Sequence, residues 1–332
     1  MKAALLSRWH VHAAANDGRY VKEFLSHPEN KVVCVWDKNA ETASEWGREF
    51  DCDWETDLEA VLSRSDVEGV IVTSEPALHK EIFIAAAQHK KHIFTEKVLS
   101  FTLEDAYAIR DAIKKNGVKF CISFMRLSIP QFSYAKELTE SGKLGDPVMF
   151  RCLCGHNGGL NGSLPEYWFD PKICGGGAMI DLGFNSAYLA RYIMGDFESV
   201  SSSFEYYLHR KVEDNASCNV RFKSGAMGCL EASFTSPLMS VFELSVYGTK
   251  GAYYARFGGG DTAQIRLEGK PLETIPLNLL PAAVPTPMQT WIDACTLGAA
   301  DDLYGIDAAV ELVKYMIAAY NSALFEGKRV LL

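Results

Sequence analysis

Five short apolar runs, AALLS, KVVCVW, VEGVIVT, KHIFTE and VKFCISF, punctuate the first 124 residues, and a segment with helical apolar spacing follows each of the first four. None of the runs alternates cleanly between apolar and polar residues, as a strand with one wet face would. Helices are therefore expected on both faces of the sheet they form. This rhythm confines the first part of the chain to an α/β, Rossmann-type fold with a parallel sheet. Thr102 and Asp105 make a capping pair ahead of the fourth helix.

The rhythm changes near Met125. The helix QFSYAKELTESG leads into DPVMFRCLCGHNGG, a long strand that runs into a glycine-rich loop, and strand candidates then crowd residues 197–275. Their spacing points to an α+β domain with a large, mainly antiparallel sheet, one face packed and one wetter. Thr286, Pro287 and Gln289 mark the start of a late helix. Two domains are expected, spanning residues 1–123 and 124–332.

A length of 332 residues with 48% apolar types gives each domain an adequate core. A formal net charge of −9 argues against a broad nucleic-acid surface and against adsorption to anionic membranes. No apolar stretch approaches about eighteen residues, the minimum for a span. SRWHVH ends the apolar start too early for a signal peptide. The nine cysteines are scattered, odd in number and without compact disulfide spacing, which suggests reduced thiols in a cytoplasm.

Open parallel sheets bind ligands beyond the carboxyl ends of their strands. That places weight on Ser7, Trp9, His10 and His12 after the first run, and on Asp37 and Lys38 after the second. It does the same for Thr73, Ser74 and Pro76, for Glu96 and Lys97, and for Arg126. Asp37 stands where a carboxylate accepts both hydroxyls of an adenosine ribose and opposes a 2′-phosphate, which favours NAD over NADP. Lys38 is the residue that could turn toward such a phosphate. The first turn lacks the glycines that let a pyrophosphate approach the helix N-terminus. Its helix-start amides remain attractive to phosphate, with Ala13 to Ala15 keeping that helix thin. Trp9 either plugs a gap or borders the cofactor, and His10 and His12 are either packed or supply ring donors to it. A two-residue spacing on one short loop is weak evidence for a metal pair, and no metal is expected. Lys97 either pairs with Glu96 or exchanges a proton with a substrate hydroxyl. A buried strand end beside a cationic nicotinamide would lower the pKa of such an amine.

In the second region Gly175 to Gly177 imply a crowded backbone or a loop against a ligand. Asp181 and Asn185, four residues apart, share a helix face near Tyr188. They either hold a polyol or form a polar pair at the core's edge. Cys152, Cys154 and His156 alternate along one strand face, which reads as packed thiols leading to a site loop rather than as zinc ligands. His156 and Asn157 are candidates for substrate contact. Tyr167 and Trp168 are aromatics that either stack on a sugar or pack in the core.

Together these residues resemble the Gfo/Idh/MocA family of sugar and polyol dehydrogenases. The similarity rests on KKHIFTEKVLSFT, AKELTESGKLGDPV, GGGAMIDLGFNSAYLARYIMG, SALFEGKRVLL and TSEPALHKEIFIAAA, in that family's order once placed along the chain. The resemblance implies a nicotinamide-binding first domain and an open-faced sheet domain for substrate and oligomerisation. It implies NAD or NADP as cofactor, a homodimer or homotetramer, and His79 within a third cofactor-contact region. It makes Lys97 the catalytic lysine, with Glu96 as its supporting neighbour, and Asp181 the substrate-site aspartate. Asn185 falls where that family often has a catalytic histidine, and His156 or His12 would complete the proton path. Val98 replaces the usual proline, and WHVH replaces the glycine-rich turn. The implied activity is reversible oxidation of a secondary hydroxyl on a cyclic sugar, sugar derivative or polyol. Two alternatives are a noncatalytic sugar or dinucleotide sensor and an enzyme that uses bound NAD transiently for elimination or glycoside cleavage.

Overall fold

The computed structural model describes residues 1–10, 12, 19–236 and 240–332. Val11 and the three alanines expected to open the first helix lie outside the described residues. Two compact units emerge, residues 1–123 with 285–313, and residues 124–284 with 314–332. The elements of the first part are β1 (Lys2–Leu6), α1 (Arg19–Leu25), β2 (Lys31–Trp36), α2 (Ala40–Phe50), β3 (Asp53–Glu55), α3 (Leu58–Leu62), β4 (Gly69–Val72), α4 (His79–Gln88), β5 (His92–Thr95), α5 (Leu103–Asn116) and β6 (Phe120–Ile122). There follow α6 (Pro130–Glu140), β7 (Pro147–His156), α7 (Pro171–Cys174), α8 (Phe184–Met194), β8 (Phe197–Glu205), β9 (Asn215–Phe222), β10 (Met227–Ser233), β11 (Ser240–Gly248), β12 (Gly251–Phe257), β13 (Thr262–Leu267), β14 (Leu272–Thr274), α9 (Pro287–Leu297), α10 (Ile306–Leu324) and β15 (Val330–Leu331).

The first unit carries a six-stranded sheet in the order β3-β2-β1-β4-β5-β6, parallel at every pairing. Burial runs without alternation through β4 and through Ala3 to Leu6 of β1, as both-face cover requires. Thr102 caps α5 by accepting the Asp105 N–H at 3.1 Å, and Gly117 closes that helix in the left-handed conformation, φ 65°. Strand order reverses between β1 and β4, so the crevice where such sheets take their ligands lies beyond Leu6 and Val72.

The expected domain boundary at 123/124 differs from the structure in one respect: residues 285–313 pack with the first unit. The reason is Trp291 of α9. It is fully buried, with its ring 6.1 Å from that of Phe24 on α1 and 5.9 Å from that of Phe94 on β5. Thr286 caps the helix by accepting the Gln289 N–H, and Pro287 fills the first turn.

The second unit is built on a nine-stranded sheet in the order β14-β13-β12-β11-β7-β10-β9-β8-β15. The β7–β10 pairing is parallel and the other pairings are antiparallel. Leu244, Cys152, Leu230 and Cys218 face one another across four strands, and all are buried. On the opposite face the charges pair instead, Arg151 with Glu231 at 3.1 Å and Arg256 with Glu243 at 3.3 Å. One buried face and one polar face are what the strand patterning called for. All nine cysteines are free thiols, and no described helix is long and apolar enough to cross a membrane.

Replacing Trp291 by alanine should lower the stability of the first unit by about 3–5 kcal/mol, the range for emptying a large buried aromatic site. Urea denaturation followed by circular dichroism measures this, and a midpoint equal to the parent's would contradict the packing of α9 on that core.

Candidate functional site

At the β1/β4 crevice the bend after β1 is made without glycine. Ser7 itself adopts the left-handed conformation, φ 67°, at a cost of roughly 1–2 kcal/mol for a residue with a Cβ. Three hydrogen bonds hold it there. Its N–H donates to the Trp36 carbonyl at 2.7 Å, its carbonyl accepts the Thr73 hydroxyl at 2.6 Å, and its Oγ accepts the Trp9 N–H at 3.3 Å. Thr73 also accepts the His10 N–H at 3.0 Å, so it laces β4 to the turn across the reversal point. Trp9 is half-buried, its ring 6.0 Å from that of His10.

At the end of β2, Asp37 accepts the Arg8 N–H through Oδ2 and the Asn39 N–H through Oδ1, each at 2.9 Å. Every carboxylate oxygen keeps a second lone pair for a ligand hydroxyl. The nearby cations are turned to carboxylates, Arg8 to Glu49 at 2.9 Å and Lys38 to Glu75 at 3.3 Å. Beyond β4, Ser74 is buried and its Oγ has no hydrogen-bond partner among the described residues. Pro76 starts the short turn that leads into α4.

His79 opens α4. It is fully buried, with Nδ1 at 2.6 Å from the Val98 carbonyl and Nε2 at 3.2 Å from the Ser74 carbonyl. It ties the exit of β4 to the loop that carries Lys97. Burial pushes its pKa down to about 4, against the two carbonyls that favour the charged ring. The neutral ring has one N–H, which the shorter contact to Val98 takes.

Glu96 is the centre of the unit's polar network. Oε1 lies 3.2 Å from His12 Nδ1 and 3.7 Å from His10 Nε2. Oε2 accepts the Tyr20 hydroxyl at 2.9 Å and the Lys97 N–H at 3.0 Å. Tyr20 continues the chain to the Ser123 hydroxyl. Burial alone would raise the pKa of this carboxyl, but His10, His12 and Lys97 outweigh it and hold the group below the usual carboxylate range. Lys97 is half-buried, directly beyond β5, and the Lys97–Val98 peptide is cis. Tyr20 and Ser123 escaped the sequence reading. Ser123 stands at a strand end and strand-end placement would have found it, whereas Tyr20 sits in the apolar stripe of α1 and gives no separate signal.

In the second unit Met179–Gly183 form a π-helical turn ahead of α8, where a regular helix was expected. The wider turn is fixed at both ends. Glu213, buried and with its pKa raised by burial, accepts the N–H groups of Gly177 at 3.0 Å and Met179 at 2.9 Å and the Tyr320 hydroxyl at 2.7 Å. A Cβ on Gly177 would overlap the Glu213 carbonyl, and one on Gly176 the Tyr320 hydroxyl. These glycines are therefore explained by close packing. At the other end Asn185 donates to the carbonyls of Asp181 at 3.3 Å and Leu182 at 3.1 Å and accepts the Tyr188 hydroxyl at 2.8 Å. Both its amide hydrogens are used, so it braces the turn that presents the half-buried Asp181. Tyr188 in turn accepts the Arg126 N–H at 3.0 Å, and the Arg126 guanidinium lies over the Phe242 ring at 3.9 Å.

The remaining expected residues line one loop region of the second unit. His156 stacks on Phe234 with centroids 5.1 Å apart, and its Nδ1 accepts the Gly158 N–H at 3.0 Å. Asn157 accepts the Asn161 side-chain amide at 3.0 Å. Tyr167 and Trp168 are half-buried and stack on each other. Cys152 and Cys154 are buried, and the Ser186 hydroxyl donates to Cys154. Glu213 and Tyr320 were missed by the sequence reading, since an isolated Glu in VEDNAS carries no spacing signal.

A family model described as an oxidoreductase family with an NAD-binding Rossmann fold covers residues 13–124, and the GFO/IDH/MocA C-terminal domain model covers residues 132–254. The chain belongs to the Gfo/Idh/MocA family of NAD-binding oxidoreductases. It is 30% identical over 236 residues to scyllo-inositol 2-dehydrogenase (NAD(+)) of Bacillus subtilis, covering 69% of this chain and 67% of that protein. It is 26% identical over 265 residues to levoglucosan dehydrogenase of Pseudarthrobacter phenanthrenivorans, covering 72% and 67%. The structure of a levoglucosan dehydrogenase in complex with NADH and levoglucosan superposes with a TM-score of 0.88 at 21% identity, covering 100% of this chain and 99% of that one, which shows a common fold.

Since the folded chain holds His79 neutral to about pH 4 while the unfolded imidazole titrates near 6.5, the unfolded state binds the extra proton between these values. The stabilisation is complete above pH 6.5 and is lost as pH falls toward 4, by about 3 kcal/mol in all. His92, also lowered by burial, adds a term of the same sign. Denaturation midpoints measured across pH 7 to about 4.5 should fall more steeply for the parent than for His79→Gln, and equal slopes would show that His79 does not carry this dependence.

Proposed function

We propose that this protein uses NAD to oxidise a secondary hydroxyl of a cyclic sugar, sugar derivative or polyol, with Lys97 as the proton acceptor. The observation that carries the reading is the placement of Lys97 directly beyond β5, with its backbone N–H fixed on the buried Glu96 carboxylate. The dinucleotide fits the residues present. Asp37 keeps acceptor capacity on both oxygens for the ribose hydroxyls, and the orphaned Ser74 hydroxyl stands at the carboxyl end of β4. Ser7, Trp9, His10, His12, Thr73 and Pro76 border the same sheet edge. Bound NAD would supply the acceptor for the hydride that leaves the substrate carbon. The neutral amine of Lys97 Nζ would take the hydroxyl proton and become ammonium as the C–H bond gives up its hydride, so that the alcohol becomes a ketone. Glu96 orients Lys97 through the backbone and is itself held by Tyr20.

In the second unit the reading gives substrate contacts to Asp181, His156, Asn157, Tyr167 and Trp168, and leaves Asn185 with the positioning of Asp181. The substrate class rests on the scyllo-inositol and levoglucosan dehydrogenases among the relatives. NAD is preferred to NADP because Asp37 repels a 2′-phosphate while Arg8 and Lys38 face carboxylates. The same reading makes the protein a cytoplasmic homodimer or homotetramer, a compartment in which nine free thiols stay reduced.

A panel of cyclic polyols and anhydrosugars, followed by the absorbance of reduced nicotinamide, tests the reaction. Lys97→Ala should reduce kcat by about 10²–10⁴, the usual worth of a positioned general base, while NAD affinity measured by calorimetry stays close to the parent's. Full turnover in that variant would remove Lys97 from the mechanism. Asp37→Ser should raise the ratio of NADP to NAD in kcat/KM by about tenfold or more, equivalent to about 1.4 kcal/mol. An unchanged ratio would mean that Asp37 does not meet the ribose.

A further inference from the structure

We propose that His10, His12 and Glu96 bind one divalent transition-metal ion of the zinc class. The three residues offer ligand atoms that all lie within 4.8 Å of one another. Around a four-coordinate ion with bonds of about 2.0–2.2 Å, neighbouring donors stand roughly 3.3–3.6 Å apart. Glu96 Oε1 is already 3.2 Å from His12 Nδ1 and 3.7 Å from His10 Nε2, so these two pairs stand close to that spacing, and binding would draw the two imidazoles, within 4.8 Å of each other, closer together.

The carboxylate is prepared for this role. Its Oε2 is taken by the Tyr20 hydroxyl and the Lys97 N–H, which leaves Oε1 as the oxygen that faces both rings. Partners of this kind fix the orientation of a ligating carboxylate. Two imidazoles and a carboxylate suit zinc and its first-row neighbours rather than calcium or magnesium. Glu96 and His10 have side-chain exposures of 3% and 7%, and His12 has 23%. The site is therefore enclosed on the Glu96 side and open on the His12 side, where three protein donors leave a coordination position for water or a ligand oxygen. Coordination through His10 Nε2 puts that ring's proton on Nδ1. The ion therefore replaces the 3.2 Å contact in which His10 Nδ1 accepts the His12 N–H. The donors come from the turn after β1 and from the end of β5, and nothing in the proposal requires a dinucleotide.

The test uses the full chain stripped with a chelator and titrated with Zn²⁺ by calorimetry without nucleotide, with zinc per chain determined by mass spectrometry. Saturable binding of one zinc per chain is expected, and Co²⁺ should give visible d–d bands. Tyr20→Phe should weaken zinc binding by about 10–100-fold, as loss of an outer partner does. His12→Ala, at the most exposed of the three ligands, should weaken it more and abolish the Co²⁺ bands. Melting of the metal-free variants identifies any that fail to fold, and His10→Ala and Glu96→Gln are read only if they melt like the parent. No saturable zinc binding by the parent, or affinity unchanged in a folded His12→Ala, overturns the proposal. NAD is titrated in a separate experiment, so loss of one ligand's binding is distinguishable from loss of the other's.

Discussion

A carboxylate taken out of water is tolerated only when other groups replace its hydration, and Glu96 meets that requirement by drawing four parts of the first unit together. The turn after β1 contributes two imidazoles, α1 contributes Tyr20, the loop after β5 contributes an amide, and Tyr20 passes the network to Ser123 beyond β6. Strand ends that would otherwise be separate loops are fixed to a common anion. The glycine-free bend beside it is held by bonds of its own, since Ser7 keeps its left-handed backbone through Trp36, Thr73 and Trp9.

The second unit uses the same device. Glu213, also buried, holds the amides of Gly177 and Met179, and the π-helical turn carrying Asp181 is built on that anchor. Each unit therefore positions its chemistry-bearing segment by an interior carboxylate satisfied by neighbouring donors. Such groups contribute more to definition of geometry than to net stability, because the desolvation of the charge offsets much of the attraction.

Much of the architecture was legible in the sequence. The apolar runs of β1, β2, β4, β5 and β6 named the parallel sheet because burial on both faces leaves no alternation, and the close spacing of strand candidates over residues 197–275 named the second sheet, whose β9 and β10 alternate between buried and more exposed residues. Capping residues Thr102 and Thr286 carried local signals strong enough to locate helix starts. What escaped was long-range. Trp291 returns to the first core across more than 150 residues of intervening chain, and no local pattern announces that. The same limit applies to site residues. Strand-end placement marked Lys97, Asp37 and Glu96 as candidates, but it could not show that both ring nitrogens of His79 meet backbone carbonyls or that Asn185 spends both its amide hydrogens inside its own turn. The HVH spacing alone gave no reason to expect a third donor, because Glu96 arrives from a strand 84 residues away from His12.

The ion pair between Lys38 and Glu75 has a consequence for how the protein could diverge. Lys38 is more than half exposed, and a pair of that kind is worth no more than about 1 kcal/mol. The ammonium group is thus a loosely held charge beside Asp37, able to change partners at little energetic expense. On the proposed NAD-dependent reading, discrimination between the cell's two redox pools would rest on the single carboxylate of Asp37, with Lys38 as the neighbouring positive charge. On that reading, few substitutions around these two residues would separate one preference from the other.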